Sequence, residues 1–225
     1  MPSEHTLHSF DTEIGKMRAA VLRMAALVER QLVRAVKAAV LRSPERAAQI
    51  VADGTTVDQL HVETDQHCSL TIARQQPIAV DLREIVAVIH MIDELERIGQ
   101  EALRVARRIQ QPDTAAATQP GTDDADAMAE AAAELLRQAI DAFMRHDAAA
   151  AQATVDAADA LEAKIQAGFA VLQQRMATVA SEVAGALSMV FVMNSVARSV
   201  AHTRHIAQYV QRAFDGLPPR DRESV

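Results

Sequence analysis

Apolar residues recur along this chain at alternating spacings of four and three, and that seam constrains the fold more than any other feature. In the first segment it runs through Phe10, Ile14, Met17, Val21, Met24 and Val28. A period of about 3.5 residues lays one apolar stripe along a helix, as in coiled coils. The residues available for a core agree with this. Half the chain is apolar (49%), yet aromatics are 3% and Trp is absent. A core of Ala, Val, Leu, Ile and Met suits close-packed helices rather than a sheet. Seven Gly and seven Pro are too few to turn many strands.

The breaks in the seam divide the chain into six predicted helices. Ser43-Pro44 reads as an N-cap followed by a proline in the first turn, where its missing N–H costs nothing. The second helix then runs to about Gln75, weakened locally by Gly54. Pro77 starts a third, with its seam at Leu82, Ile85, Ile89, Ile92, Glu96, Gly99, Leu103 and Ala106. The stretch QQPDTAAATQPGTDD reads as a linker. A fourth helix covers about Ala125 to Arg145, Asp147 caps a fifth that reaches about Met176, and a sixth spans about Val179 to Phe214. The tail, residues 215–225, reads as disordered.

The two halves match at an offset of 101 residues. Val57-Asp58-Gln59-Leu60 corresponds to Ala158-Asp159-Ala160-Leu161, and the third-helix seam maps onto Val183, Ala186, Val190, Met193, Ala197, Val200, Arg204 and Ala207. The expected object is all-α: two tandem antiparallel three-helix bundles related by internal duplication. Residues 8–110 form the first, 111–123 the linker and 124–214 the second.

Charge and motif content narrow the function. A net charge of −7 with no run of five Lys or Arg argues against nucleic-acid binding. A lone cysteine, Cys68, on a seam with Val57 and Thr64, fits a buried thiol in a reducing compartment. The first fifteen residues lack the basic start and apolar stretch of a signal peptide, and the longest apolar run, Val183 to Met193, is short of a bilayer span. A cytoplasmic protein without membrane insertion is expected. No Ser-His-Asp signature, phosphate-cradling glycine loop or CxxC pair gives catalysis a home.

A few polar residues stand out. Glu96 falls on the third seam between Ile92 and Gly99, where an ionised carboxylate needs a partner, a metal or water. Gln100 lies one turn on, and Asp58 and His61 share a face of the second helix. His202 and His205 fall off the sixth seam, on what reads as a solvated face. Asp81 suits the first turn of the third helix through the helix dipole.

The segments QQPIAVDLR (75–83) and LERIGQEA (95–102), with MRAAVLRMAALVERQL (17–32), resemble the hallmark stretches of the PhoU family. The resemblance covers about residues 8–214 and is stronger in the first half. It implies a homodimeric, non-catalytic adaptor between the ATPase subunit of a phosphate ABC transporter and a sensor histidine kinase. Such a protein acts as a negative regulator of phosphate uptake and phosphate-starvation signalling. It also implies an acidic i, i+4 pair in each half, associated with metal ions on the bundle surface. Here the first pair is Glu96 and Gln100, while Ala197 and Ala201 stand at the second, where Arg198 alone survives. The expectation is therefore no required cofactor and at most a weakly bound divalent metal in the first half, at Glu96, Gln100, Asp58 and His61. Asp81, Arg83, Arg97 and Arg198 are the partner-contact candidates. Two alternatives stand beside this reading: a structural bundle that has lost phosphate signalling, and a di-metal oxidoreductase. The second needs Glu-x-x-His on two helices, whereas the chain offers only Asp58-x-x-His61.

Overall fold

The computed structural model describes residues 4–111 and 119–216, and all regular structure within them is helical. The helices are α1 (Glu4–Val40), α2 (Pro44–Gln75), α3 (Ala79–Gln110), α4 (Thr122–Met144), α5 (Ala148–Thr178) and α6 (Val183–Phe214), with a 3₁₀ turn at Ala180–Glu182 before α6. Residues 112–118 of the predicted linker and 217–225 of the predicted tail lie outside the described residues.

Local capping chemistry places the helix starts where it is strongest. Ser43 Oγ accepts from the Arg46 N–H at 3.4 Å, with Pro44 in the first turn, and the Asp147 carboxylate accepts from the Ala150 N–H at 2.9 Å. Three starts differ from the sequence expectation. The third helix begins at Ala79 rather than Pro77, because Ile78 is extended (φ −123°, ψ 158°) and serves as the cap. The fourth begins at Thr122 rather than Ala125, after Gly121 takes a left-handed φ of 79°, so Thr122 and Asp123 belong to its first turn and not to a linker. The sixth helix begins at Val183 rather than about Val179, after the 3₁₀ turn at Ala180–Glu182.

The contacts arrange the six helices as a four-helix square with two flanking helices. α1 packs on α3, α3 on α6, α6 on α4 and α4 on α1; α2 covers α1 and α3, and α5 covers α4 and α6. The inner helices α3 and α6 bury 15 and 16 residues, against 7 and 6 for the outer α2 and α5. The two predicted bundles are thus packed side by side along their lengths, and the core divides by height rather than by half. One apolar cluster joins Met17–Val28 and Ile85–Ile98 to Leu136–Met144 and Ile206–Phe214; the other joins Leu32–Ile50 and Ala102–Ala106 to the opposite ends of α4 and α6.

Two sequence expectations change character in this packing. Gly54 is where α2 comes close to α3: an added Cβ would stand 2.8 Å from Leu103 Cδ2. And the α6 region, with a mean hydropathy of 1.4 in its most apolar window, is long and apolar enough to cross a bilayer, although 56% of that window is buried inside the bundle. Its apolar content is spent on α3, α4 and α5.

Candidate functional site

The four predicted metal candidates come together in the groove between α2 and α3. His61 Nε2 lies 2.7 Å from Asp93 Oδ1 and 4.0 Å from Glu96 Oε2, and Gln100 Nε2 donates to Asp58 Oδ1 at 3.3 Å. Asp93 was missed by the seam reading. Glu96 is not on the buried line: that line runs through Ile85, Val88, Ile92, Leu95, Gly99 and Ala102, while Ile89 and Glu96 sit half-buried at its edge. Water therefore solvates the Glu96 carboxylate, whose side chain is 35% exposed. As a metal cage the groove fits poorly. Asp58 is taken up by an amide donor and Asp93 by an imidazole, leaving one nearby carboxylate, whereas hard cations need several charged oxygens.

The equivalent groove in the second half, between α5 and α6, holds a cation of its own. Arg204 Nη1 lies 2.8 Å from Asp159 Oδ1 and 3.4 Å from Glu162 Oε2. Arg204, which the offset of 101 places opposite Leu103, thus neutralises the two acids that match Asp58 and His61. With Ala197 and Ala201 above them, no carboxylate pair is left for a metal.

The most heavily constrained polar groups lie on the opposite face of α3, where it meets the second half. Glu84, Glu94 and Glu101 are all buried there. Each is answered by cationic or imidazole groups, since a buried carboxylate without a partner would be costly. Arg18 of α1 binds Glu84 in a fork, Nε to Oε1 at 2.6 Å and Nη2 to Oε2 at 2.9 Å. His146, from the turn after α4 with a left-handed φ of 54°, lies 3.3 Å from Glu84 Oε2 and stacks on Phe214 at 3.8 Å. Burial pushes the Glu84 carboxyl up, but the His146 and Arg18 hydrogen bonds and charges outweigh it and hold the group at about 2. Arg198 Nε donates to Glu101 Oε1 at 2.6 Å, with Arg104 Nη2 at 3.4 Å.

Glu94 meets two histidines of α6. His202 Nδ1 lies 2.6 Å from Glu94 Oε2 and His205 Nδ1 3.5 Å from the same oxygen. Burial raises the Glu94 carboxyl, yet the His202 bond and the surrounding His202, His205 and Arg97 charges leave it below the ordinary carboxylate range. The expected solvated face for this histidine pair is therefore corrected. The His202 side chain is 13% exposed and turned into the joint between halves, while His205, at 41%, stands at its mouth. The signal was present in the sequence: Ala87, Met91, Ile98 and Val105 share a face with the three glutamates, a second seam marking α3 as buried on two sides.

Of the partner-contact candidates, Asp81 and Arg83 are exposed in the first turns of α3. Arg97 is also largely exposed, 3.9 Å from Glu94 Oε1, while Arg198 is tied to Glu101. Large apolar side chains accompany the first two: Ile78 is 77% exposed, and Leu82 and Val86 are also in solvent. The same pattern recurs 101 residues on, at Val179, Val183 and Leu187. Cys68, by contrast, is fully buried, and desolvation with the Asp65 charge pushes its thiol up to about 12, which makes it inert.

A profile of the PhoU domain matches residues 21–109. The chain is 28% identical over 208 residues to a phosphate-specific transport system accessory protein PhoU homolog of Pseudomonas putida, covering 92% of this chain and 81% of that one. The crystal structure of PhoU from Pseudomonas aeruginosa superposes with a TM-score of 0.84 at 28% identity, over 92% of this chain and 99% of that one. A Streptococcus pneumoniae phosphate transport system regulatory protein, PhoU, at 18% identity and a TM-score of 0.83, shares the fold, covering 92% of this chain and 97% of its own.

Proposed function

Taking as premise that this chain belongs to the PhoU family, we propose that it is an accessory protein of phosphate transport that acts as a non-catalytic adaptor. In this reading it is a cytoplasmic homodimer that links the ATPase subunit of a phosphate ABC transporter to a sensor histidine kinase and holds the kinase in its repressing state when phosphate is plentiful. The name of the Pseudomonas putida relative supports the transport association. The observation that carries the adaptor reading is the exposed apolar stretch Ile78, Leu82 and Val86 beside Arg83, repeated at Val179, Val183 and Leu187. Leu22, Leu41, Val62, Leu70 and Val171 are exposed as well, but Ile78, Leu82 and Val86 with Arg83 follow one another around the start of one helix, and a contiguous apolar patch rimmed by charge suits a protein partner. Docking there biases a two-state kinase without chemistry in the adaptor.

The test is capture of partners from cells by the tagged full-length protein. The transporter ATPase and the kinase should be recovered with the native chain and lost with Leu82→Glu. Because Leu82 is exposed, that variant should melt at the native temperature. Undiminished recovery with Leu82→Glu and Leu187→Glu together would place the docking surface elsewhere. A divalent ion in the α2/α3 groove is, in this reading, a weak and optional occupant.

A further inference from the structure

We propose that Glu94, His202 and His205 form a binding site for a divalent transition metal that clamps α3 of the first half to α6 of the second. Among the described residues this is the one group of three His, Cys, Asp or Glu side chains whose ligating atoms all lie within 4.8 Å of one another. Zinc bonds to nitrogen and oxygen are about 2.0–2.2 Å, so two ligands of one ion stand about 3–3.6 Å apart. Glu94 Oε2 stands 2.6 and 3.5 Å from the two Nδ1 atoms and the three ligating atoms span no more than 4.8 Å, so side-chain adjustments of about an ångström let them share an ion.

The donor set selects the metal class. Two imidazoles and one carboxylate suit zinc, iron(II), cobalt or nickel, whereas calcium and magnesium take oxygen ligands. His202 and His205, spaced i, i+3, face the same side of α6 and present the same ring nitrogen. Glu94 is fixed by burial, at 6% exposure, while His205 is open to solvent and leaves a way in for the ion and room for water as a further ligand. Arg97 approaches the other Glu94 oxygen, Oε1, at 3.9 Å, and its exposed side chain is able to swing away as an ion enters. This site is separate from the α2/α3 groove. Glu94 and Glu96 are two residues apart, hence about 200° around the helix.

Calorimetric titration of the metal-stripped, full-length protein with zinc tests the assignment, together with melting curves. One zinc per chain should bind and raise the melting temperature, and calcium should do neither. His205→Ala should weaken zinc binding at least tenfold while leaving the melting temperature of the metal-free protein unchanged, since that side chain is partly exposed. His202→Ala and Glu94→Gln should abolish the zinc-induced rise. Glu96→Ala and His61→Ala should leave the affinity unchanged. Binding that survived His205→Ala, that disappeared in Glu96→Ala or His61→Ala, or that was absent from the native chain would overturn the proposal.

Discussion

Met193→Asp should cost at least about 4 kcal/mol of folding stability, and Ile92→Asp a similar amount, because each places a carboxylate where there is neither water nor a partner. Both side chains are essentially fully buried, Ile92 between α3 and the first-half helices and Met193 in the cluster shared by α4, α5 and α6. In a chain of this size about 4 kcal/mol corresponds to a fall in melting temperature of roughly 10 °C or more. Ile89→Asp should cost clearly less, because Ile89 is half-buried at the rim of the first-half core and its new carboxylate reaches solvent. Gln174→Ala, on the exposed side of α5, should stay within about 0.5 kcal/mol. Thermal melts of the four variants check the order. Equal losses at Ile89 and Ile92 would show that the buried line of α3 has been misplaced.

The second large effect is acid sensitivity through Glu84. Its carboxyl titrates near 2 in the folded chain, against an ordinary value of 4.5, so folding favours the ionised form. The stabilisation is complete above about pH 4.5 and drains away as the pH falls toward 2, on the order of 3 kcal/mol in all. Glu84→Gln should lose about that much at pH 7, since it also leaves the Arg18 guanidinium half-enclosed without its fork. At pH 2.5 the gap between native and variant chains in urea denaturation should have shrunk to roughly a quarter of its size at pH 7, whatever the other carboxylates do to both. A gap that stayed constant from pH 7 to 2.5 would mean that Glu84 acts by packing rather than by charge.

The features legible in the sequence are those decided locally. Ser43-Pro44 and Asp147 announce helix starts because an N-cap is a contact within four residues, and the structure places both as expected. The duplication was readable as a register, and it predicts even the exposed Val179, Val183 and Leu187 from Ile78, Leu82 and Val86. The neighbourhood of His61, Glu96, Asp58 and Gln100 followed from setting α2 beside α3 at equal height. What was not legible is the joint between halves. A single seam along α3 leaves Glu84, Glu94 and Glu101 off its line and sets Glu96 too deep. The pairing of Glu94 with His202 spans 108 residues and depends on how α3 and α6 are registered against each other, which no local pattern carries.

The proposed repression of phosphate-starvation signalling under plentiful phosphate is open to one decisive measurement: deletion of the gene, followed by assay of a phosphate-starvation promoter in phosphate-rich medium. Strong derepression is expected, reversed by the native gene and not by Leu82→Glu. Normal repression in the deletion strain would contradict it, and would favour a bundle that has kept the fold without the signalling role.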